Sequence, residues 1–267
     1  MYQSYPQGHD EGSVVPGYTD PKICRSFITY SDDDGMTWSK SQEITKSVKR
    51  PEYVTSIASG PGVGIQLRRG KYAGRLIIPF NQGSYDEWKV YNTYSDDNGR
   101  TWKYGQLADG ELGNEIQAVE LTDGTVMVNT RSHRDKGNRL ISFSKDGGRT
   151  LSALQEEPAL IEPQCQGSIL HFTDPLDGYK SRILFSNPAS KTDRTNMTVR
   201  LSYDEGKTWP VSKEMYLGSS AYSCLTVLPS NMIGCLYERD NYRKITLARL
   251  SLEYLTDGKD HLSKRNR

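Results

Sequence analysis

Four stretches of this 267-residue chain follow one formula. They are Ser31-Asp32-Asp33-Asp34-Gly35-Met36-Thr37-Trp38, Ser95-Asp96-Asp97-Asn98-Gly99-Arg100-Thr101-Trp102, Ser144-Lys145-Asp146-Gly147-Gly148-Arg149-Thr150-Leu151 and Ser202-Tyr203-Asp204-Glu205-Gly206-Lys207-Thr208-Trp209. All fit Ser-x-Asp-x-Gly-x-Thr-[Trp/Leu]. An Asp side chain accepts hydrogen bonds from nearby backbone amides, and Gly supplies the positive φ of a tight turn. The flanking Ser and Thr are placed to tie the two ends of the turn together. The closing Trp or Leu is expected to pack beneath it as an apolar anchor. The formula predicts a self-stabilised β-hairpin tip used four times. Four unrelated polar turns would have no reason to share it.

The boxes begin at residues 31, 95, 144 and 202, a mean spacing of (202 − 31)/3 = 57 residues. That is room for four short strands with their turns. Four-stranded units repeated radially are the blades of a β-propeller. At 57 residues per blade, 267 residues make about 4.7 blades. The expected fold is an all-β propeller, one domain over residues 1–267, with a polar segment at 1–19 and a charged, frayed tail from 257.

Composition agrees with many short strands: 17 Tyr, 24 Gly and 12 Pro punctuate the chain. Lys plus Arg (34) nearly balance Asp plus Glu (33), and the two signs are interspersed. No basic stripe points to nucleic acid, and no run of 18 apolar residues points to a membrane span. Cys24, Cys165, Cys224 and Cys235 form no Cys-x-x-Cys pair, and the four histidines are scattered. Free buried thiols in strands are expected, with no metal site and no cofactor. The first ten residues have neither the charged start nor the apolar stretch of a signal peptide. Either the protein is cytoplasmic or Met1 is not its natural start.

Along the chain, Asp20 precedes a probable strand, Ile23 to Tyr30, that enters the first box. Gly60-Pro-Gly62-Val-Gly64 lacks the third glycine and following helix of a nucleotide loop. Gly74-Arg-Leu-Ile-Ile-Pro-Phe reads as an apolar strand running into the second box. Asp123-Gly124 is a hairpin turn, which brings Glu115 and Arg131, near the two ends of that hairpin, to one rim. By spacing alone, a lone Glu or Arg at such a place is usually a solvated charge. Arg194 stands at the mouth of a strand feeding the fourth box, and Tyr222 lies in Ala-Tyr-Ser before the last strands.

Together, the boxes, the Gly-Pro-Gly-Val-Gly-Ile-Gln-Leu stretch, Asn129-Thr-Arg131-Ser, Cys165-Gln-Gly-Ser, Arg194-Thr-Asn-Met-Thr-Val-Arg-Leu-Ser, Ala221-Tyr222-Ser and Gly234-Cys-Leu-Tyr-Glu resemble the exo-α-sialidases over about residues 20–252. The resemblance implies a six-bladed propeller with its site at one end of the axis. It implies retaining hydrolysis of terminal sialic acids from glycoproteins, glycolipids or oligosaccharides. The sugar carries a carboxylate on its anomeric carbon, and planar guanidinium groups grip carboxylates with paired charged bonds. Arg131 and Arg194 match two of the family's three arginines. Tyr222 matches its nucleophile, a tyrosine in this group of glycosidases. A free phenol has a pKa near 10 and needs a base to attack at neutral pH. Glu115 matches that base. Asp20 matches the acid/base aspartate, by position more than by motif.

Nothing in residues 1–19 resembles the Phe-Arg-Ile-Pro-like strand that carries the family's first arginine. A chain truncated at its N-terminus, with about five blades, is therefore expected. Members of the family are often secreted, periplasmic or cell-surface proteins. A non-catalytic propeller that binds sialylated glycans and a trans-sialidase are the alternatives.

Overall fold

The structure, a computed structural model, describes residues 1–84, 87–134 and 137–264. Its strands fall into five units in chain order. The first holds β1 (Tyr2–Ser4), β2 (Arg25–Ile28) and β3 (Gln42–Glu43). The second holds β4 (Ser56–Ser59), β6 (Leu76–Gly83), β7 (Lys89–Ser95) and β8 (Lys103–Tyr104), with β5 (Ile65–Gln66) also paired to β6. The third is β9 (Gly113–Glu120), β10 (Val126–Ser132), β11 (Asn138–Ser144) and β12 (Gln155–Ile161). The fourth is β13 (Ser168–Thr173), β14 (Arg182–Pro188), β15 (Thr195–Ser202) and the first half of β16 (Val211–Leu228). The second half of β16 pairs with β17 (Met232–Arg239), which pairs with β18 (Lys244–Leu250), to make the fifth. The named strands pair antiparallel throughout, most as hairpins, and the isolated bridges Val15–Ile23 and Gly110–Leu154 outside them are parallel.

The 18-residue β16 is one continuous strand serving two blades. Residues 211–219 close the fourth sheet against β15, and residues 220–228 open the fifth against β17. Five units match the count of about 4.7 from box spacing. The units are the blades of an all-β propeller, about five of them.

The core lies between neighbouring sheets. One apolar cluster joins the first two (Cys24, Ile57, Phe80, Tyr91, Trp102). A second joins sheets two and three (Ile77, Val90, Ile116, Val128, Leu140), and a third joins three and four (Val119, Met127, Ile169, Ile183, Phe185). The fourth joins the last two (Leu184, Met197, Val199, Leu225, Ile233). Alternate residues of each strand face one neighbour or the other, which is why the blades stack side by side.

All four boxes fold as their formula predicts. In each, the Gly N–H donates to the Ser Oγ at 2.8 Å. The Thr hydroxyl donates to the Asp carboxylate at 2.6 to 2.9 Å. Those Thr bonds, with help from Ser, hold the Asp33 and Asp97 carboxyls down at about 2.

The anchors differ. Trp102, Leu151 and Trp209 each pack against the preceding sheet. Trp38, in the first sheet, has no preceding sheet within the described residues and is 62% exposed. Its ring still packs beneath its own turn, where Nε1 donates to Gly35 O at 3.0 Å. Three expectations change. The apolar strand β6 does not run into the second box; it turns back, and β7 enters the box. The tail is tied down at Asp260, whose carboxylate accepts two 2.7 Å bonds from the buried Arg182. All four cysteines are free, but Cys24 and Cys165 lie just outside strands.

Gly60 and Gly62 permit close approach rather than phosphate binding. A Cβ on Gly60 would meet the Ile116 carbonyl oxygen at 1.8 Å, and one on Gly62 the Gln117 amide at 1.6 Å. Gln117 donates to Pro61 O at 2.6 Å and accepts from Ser168, whose hydroxyl in turn accepts from Leu225 N. The strands that open blades three, four and five are thus stitched to one another side by side. No helix among the described residues is long and apolar enough to cross a membrane.

Candidate active site

The hairpin β9–β10 turns at Asp123-Gly124, as expected, and its open end carries a bulge. Ile116 pairs with Thr130 and Gly113 with Ser132, so Asn114 and Glu115 together oppose Arg131. A bulge leaves its strand locally bent and re-aims side chains. Here it sets Glu115 against Arg131, whose Nη1 donates to Glu115 Oε2 at 2.9 Å. Both side chains are mostly enclosed, at 13% and 20% exposure. The Arg131 Nε is buried with no hydrogen-bond partner.

A second bulge of the same kind positions the tyrosine. Ser220 pairs with Arg239 and Ser223 with Tyr237, so Ala221 and Tyr222 oppose Glu238. The Tyr222 N–H donates to the Glu238 carboxylate at 3.1 Å. The Ser223 N–H donates to Gln166 Oε1 at 2.9 Å. With its backbone fixed from both sides, the Tyr222 ring reaches across to β9, where its hydroxyl donates to Glu115 Oε1. Glu115 thus holds the phenol with one oxygen and the guanidinium of Arg131 with the other.

Arg194 completes the cluster from the loop before β15. Its guanidinium lies over the Tyr222 ring, 5.8 Å from the centroid. Nη2 donates to Gln164 O and Nη1 to Tyr242 Oη, both at 2.9 Å. Tyr242 ends a run of three successive non-glycine residues at positive φ, Asp240, Asn241 and Tyr242. Such backbone is costly and concentrates at functional sites.

The structure therefore brings together four of the five residues singled out from sequence: Glu115, Arg131, Arg194 and Tyr222. Asp20 is not among them. It is exposed, and its carboxylate caps its own turn by accepting from Lys22 N at 2.7 Å. Sequence reading passed over Glu11, which lies within electrostatic range of Arg131 and Glu115. Burial pushes the Glu11 carboxyl up, and Asp10 adds to the rise while Arg131 opposes it. It also missed Gln164, in the turn before β13, and Tyr242, in the turn between β17 and β18, which both hold Arg194 and which no local motif marks. Glu238, on β17, was quoted only as part of Gly234-Cys-Leu-Tyr-Glu, with no role. Among the described residues, no group of three or more His, Cys, Asp or Glu is gathered to hold a metal.

The cluster thus sets one phenol hydroxyl on a carboxylate, with two guanidinium groups beside it. Residues 13–235 match the model of the BNR repeat-like domain. The chain belongs to the exo-α-sialidase family. It is 39% identical to a sialidase of Micromonospora viridifaciens over 82% of this chain and 34% of that protein. It is 34% identical to the anhydrosialidase of Macrobdella decora over 79% of this chain and 29% of that one. The chain spans about a third of the length of these relatives. Among solved structures, a Hadza microbial sialidase superposes with a TM-score of 0.80 at 32% identity, over 92% of this chain and 47% of the other. The intramolecular trans-sialidase from Ruminococcus gnavus, solved with oseltamivir carboxylate, superposes with a TM-score of 0.76 at 30% identity, over 88% and 52%.

Proposed function

We propose that this chain carries the nucleophile, its base and two carboxylate-binding arginines of a retaining exo-α-sialidase acting on sialylated glycans. The observation that carries the reading is the hydrogen bond from Tyr222 Oη to Glu115, made between two bulged strands 107 residues apart. In the first step the Tyr222 oxygen attacks the anomeric carbon, its proton passes to Glu115, and the bond to the aglycone breaks. Water then attacks the anomeric carbon and displaces the phenol, Glu115 returns its proton to the Tyr222 oxygen, and the proton lost by water passes through solvent to the departed aglycone anion. A neutral phenol suits a carbon that bears a carboxylate, because a carboxylate nucleophile would be repelled. Arg131 and Arg194 hold the substrate carboxylate.

The departing oxygen needs a proton, and Asp20 lies outside the cluster. Substrates whose aglycone leaves as a stable anion are therefore expected to react fastest. The test is turnover of a fluorogenic aryl sialoside by the chain and by Tyr222→Phe. Loss of turnover in the variant is expected. Turnover that survives the substitution removes Tyr222 as nucleophile, and binding without turnover by the unaltered chain leaves a sialoglycan-binding propeller. Transfer to an added or internal acceptor instead of water would make the chain a trans-sialidase. The superposition on the Ruminococcus gnavus enzyme favours including that assay.

A further inference from the structure

The register between β10 and β11 stops at Thr130, opposite Leu140. Ser132, just beyond, is 2% exposed, and its buried N–H needs an acceptor. It finds the carboxylate of Glu162, at 2.6 Å from Oε1. Glu162 is 1% exposed, and its charge is answered by Arg139, 0% exposed, whose Nη1 donates to Oε2 at 2.8 Å. Arg139 reaches further. Its Nε donates to Asn129 Oδ1 at 2.7 Å, two residues before Arg131 on β10. The same Nη1 donates to Cys165 O at 2.6 Å, while Cys165 N–H donates to Glu162 at 3.3 Å. The neighbouring Gln164, held at a φ of +51°, presents the carbonyl that receives Arg194.

One buried ion pair therefore touches Asn129 and Ser132, on either side of Arg131, and the Cys165 backbone next to the Gln164 carbonyl that holds Arg194. On one side it grips β10 just before and just after Arg131. On the other it fixes the turn whose carbonyl holds Arg194. A buried pair of this kind is a poor source of stability, since an apolar pair of similar volume commonly serves as well or better. Its retention calls for a positional reason.

We propose that Arg139 and Glu162 are positioning residues that set the separation and orientation of Arg131 and Arg194, and so tune the grip on the substrate carboxylate. This rests on the reading of those two arginines as the carboxylate-binding pair. Arg139 and Glu162 touch no substrate; they act through the strand end and the turn.

The test is the double variant Arg139→Met with Glu162→Leu, beside Arg139→Lys and the control Arg131→Lys. Each is followed by melting temperature, by kcat and KM on an aryl sialoside, and by calorimetric Kd for sialic acid and its carboxyl-reduced analogue. The double variant is expected to fold, yet its KM rises by about tenfold or more, because misplacement on the order of 1 Å is felt strongly at a binding site. Its preference for the carboxylate over the reduced analogue falls by a similar factor, and kcat changes much less. Arg139→Lys keeps the charge but loses the fork, so it moves in the same direction without removing the pair, and it carries the test should the double variant not fold. A folded variant with unchanged KM and unchanged preference overturns the proposal. So does a loss of activity that follows melting temperature alone. If Arg131→Lys itself leaves KM and preference unaltered, the carboxylate reading has failed instead.

Discussion

The hairpin tips and the mouth of the propeller are built by opposite means. In each box, the Ser, Asp and Thr of the formula find their partners two to four residues away, as when Thr101 bonds Asp97 and Gly99 bonds Ser95. At the mouth, the decisive contact spans 107 residues, from Tyr222 to Glu115, and its supports span 16 to 57. A tip can form as soon as its strands pair. The mouth exists only once three blades have closed around it. The comparison teaches that repeated sequence here encodes scaffold, while the cluster of Glu115, Arg131 and Tyr222 is assembled at two strand bulges outside the repeat.

The sharpest break in that comparison is Tyr222→Phe, which deletes one oxygen at the mouth and nothing at any tip. Turnover of an aryl sialoside is expected to fall by at least about a thousandfold, in line with losing an activated nucleophile, with the melting temperature nearly unmoved. A comparable loss from a box substitution that leaves the fold intact would erase the distinction. At the tips, Trp102→Ala is expected to cost about 3–5 kcal/mol in denaturant unfolding, since that ring is buried between blades. Trp38→Ala, at an exposed ring of the same formula, should stay within about 0.5 kcal/mol. Equal costs would refute the account of the anchors.

Arg194→Lys should raise KM by roughly ten- to a hundredfold, corresponding to one lost charged bond of about 1.5–3 kcal/mol, while stability changes little. The smallest effect is on acid stability. The Asp33 and Asp97 carboxyls are held below their ordinary value, so the stability they contribute is present above about pH 4. It is lost as pH falls through about 2. An Asp97→Asn variant should lose part of that acid-dependent drop when unfolding is followed from pH 5 to pH 2. An identical acid profile would mean that the box carboxylates carry none of it.

Much of this was legible in the chain. The box formula gave the tips down to individual hydrogen bonds, and the box spacing gave the number of units. The Asp123-Gly124 turn placed Glu115 and Arg131 on one rim, because a hairpin returns its ends to each other. Tyr222 and Arg194 were assigned only through resemblance, since no local pattern distinguishes them from other strand residues. Asp20 shows the limit of positional matching. Lying 11 residues ahead of a box does not say which end of a sheet a residue reaches, and this one caps its own turn.

The sequence by itself determined what depends on near neighbours: the turns, the antiparallel pairing and the all-β architecture, because side chains two to four residues apart meet in almost any folded form of the chain. The tertiary structure alone decided which tryptophans are covered, where the two bulges fall, and that Glu162 and Arg139 lie beneath both arginines. Those outcomes depend on how one blade seats against the next, and that seating is a property of surfaces brought together from distant parts of the chain.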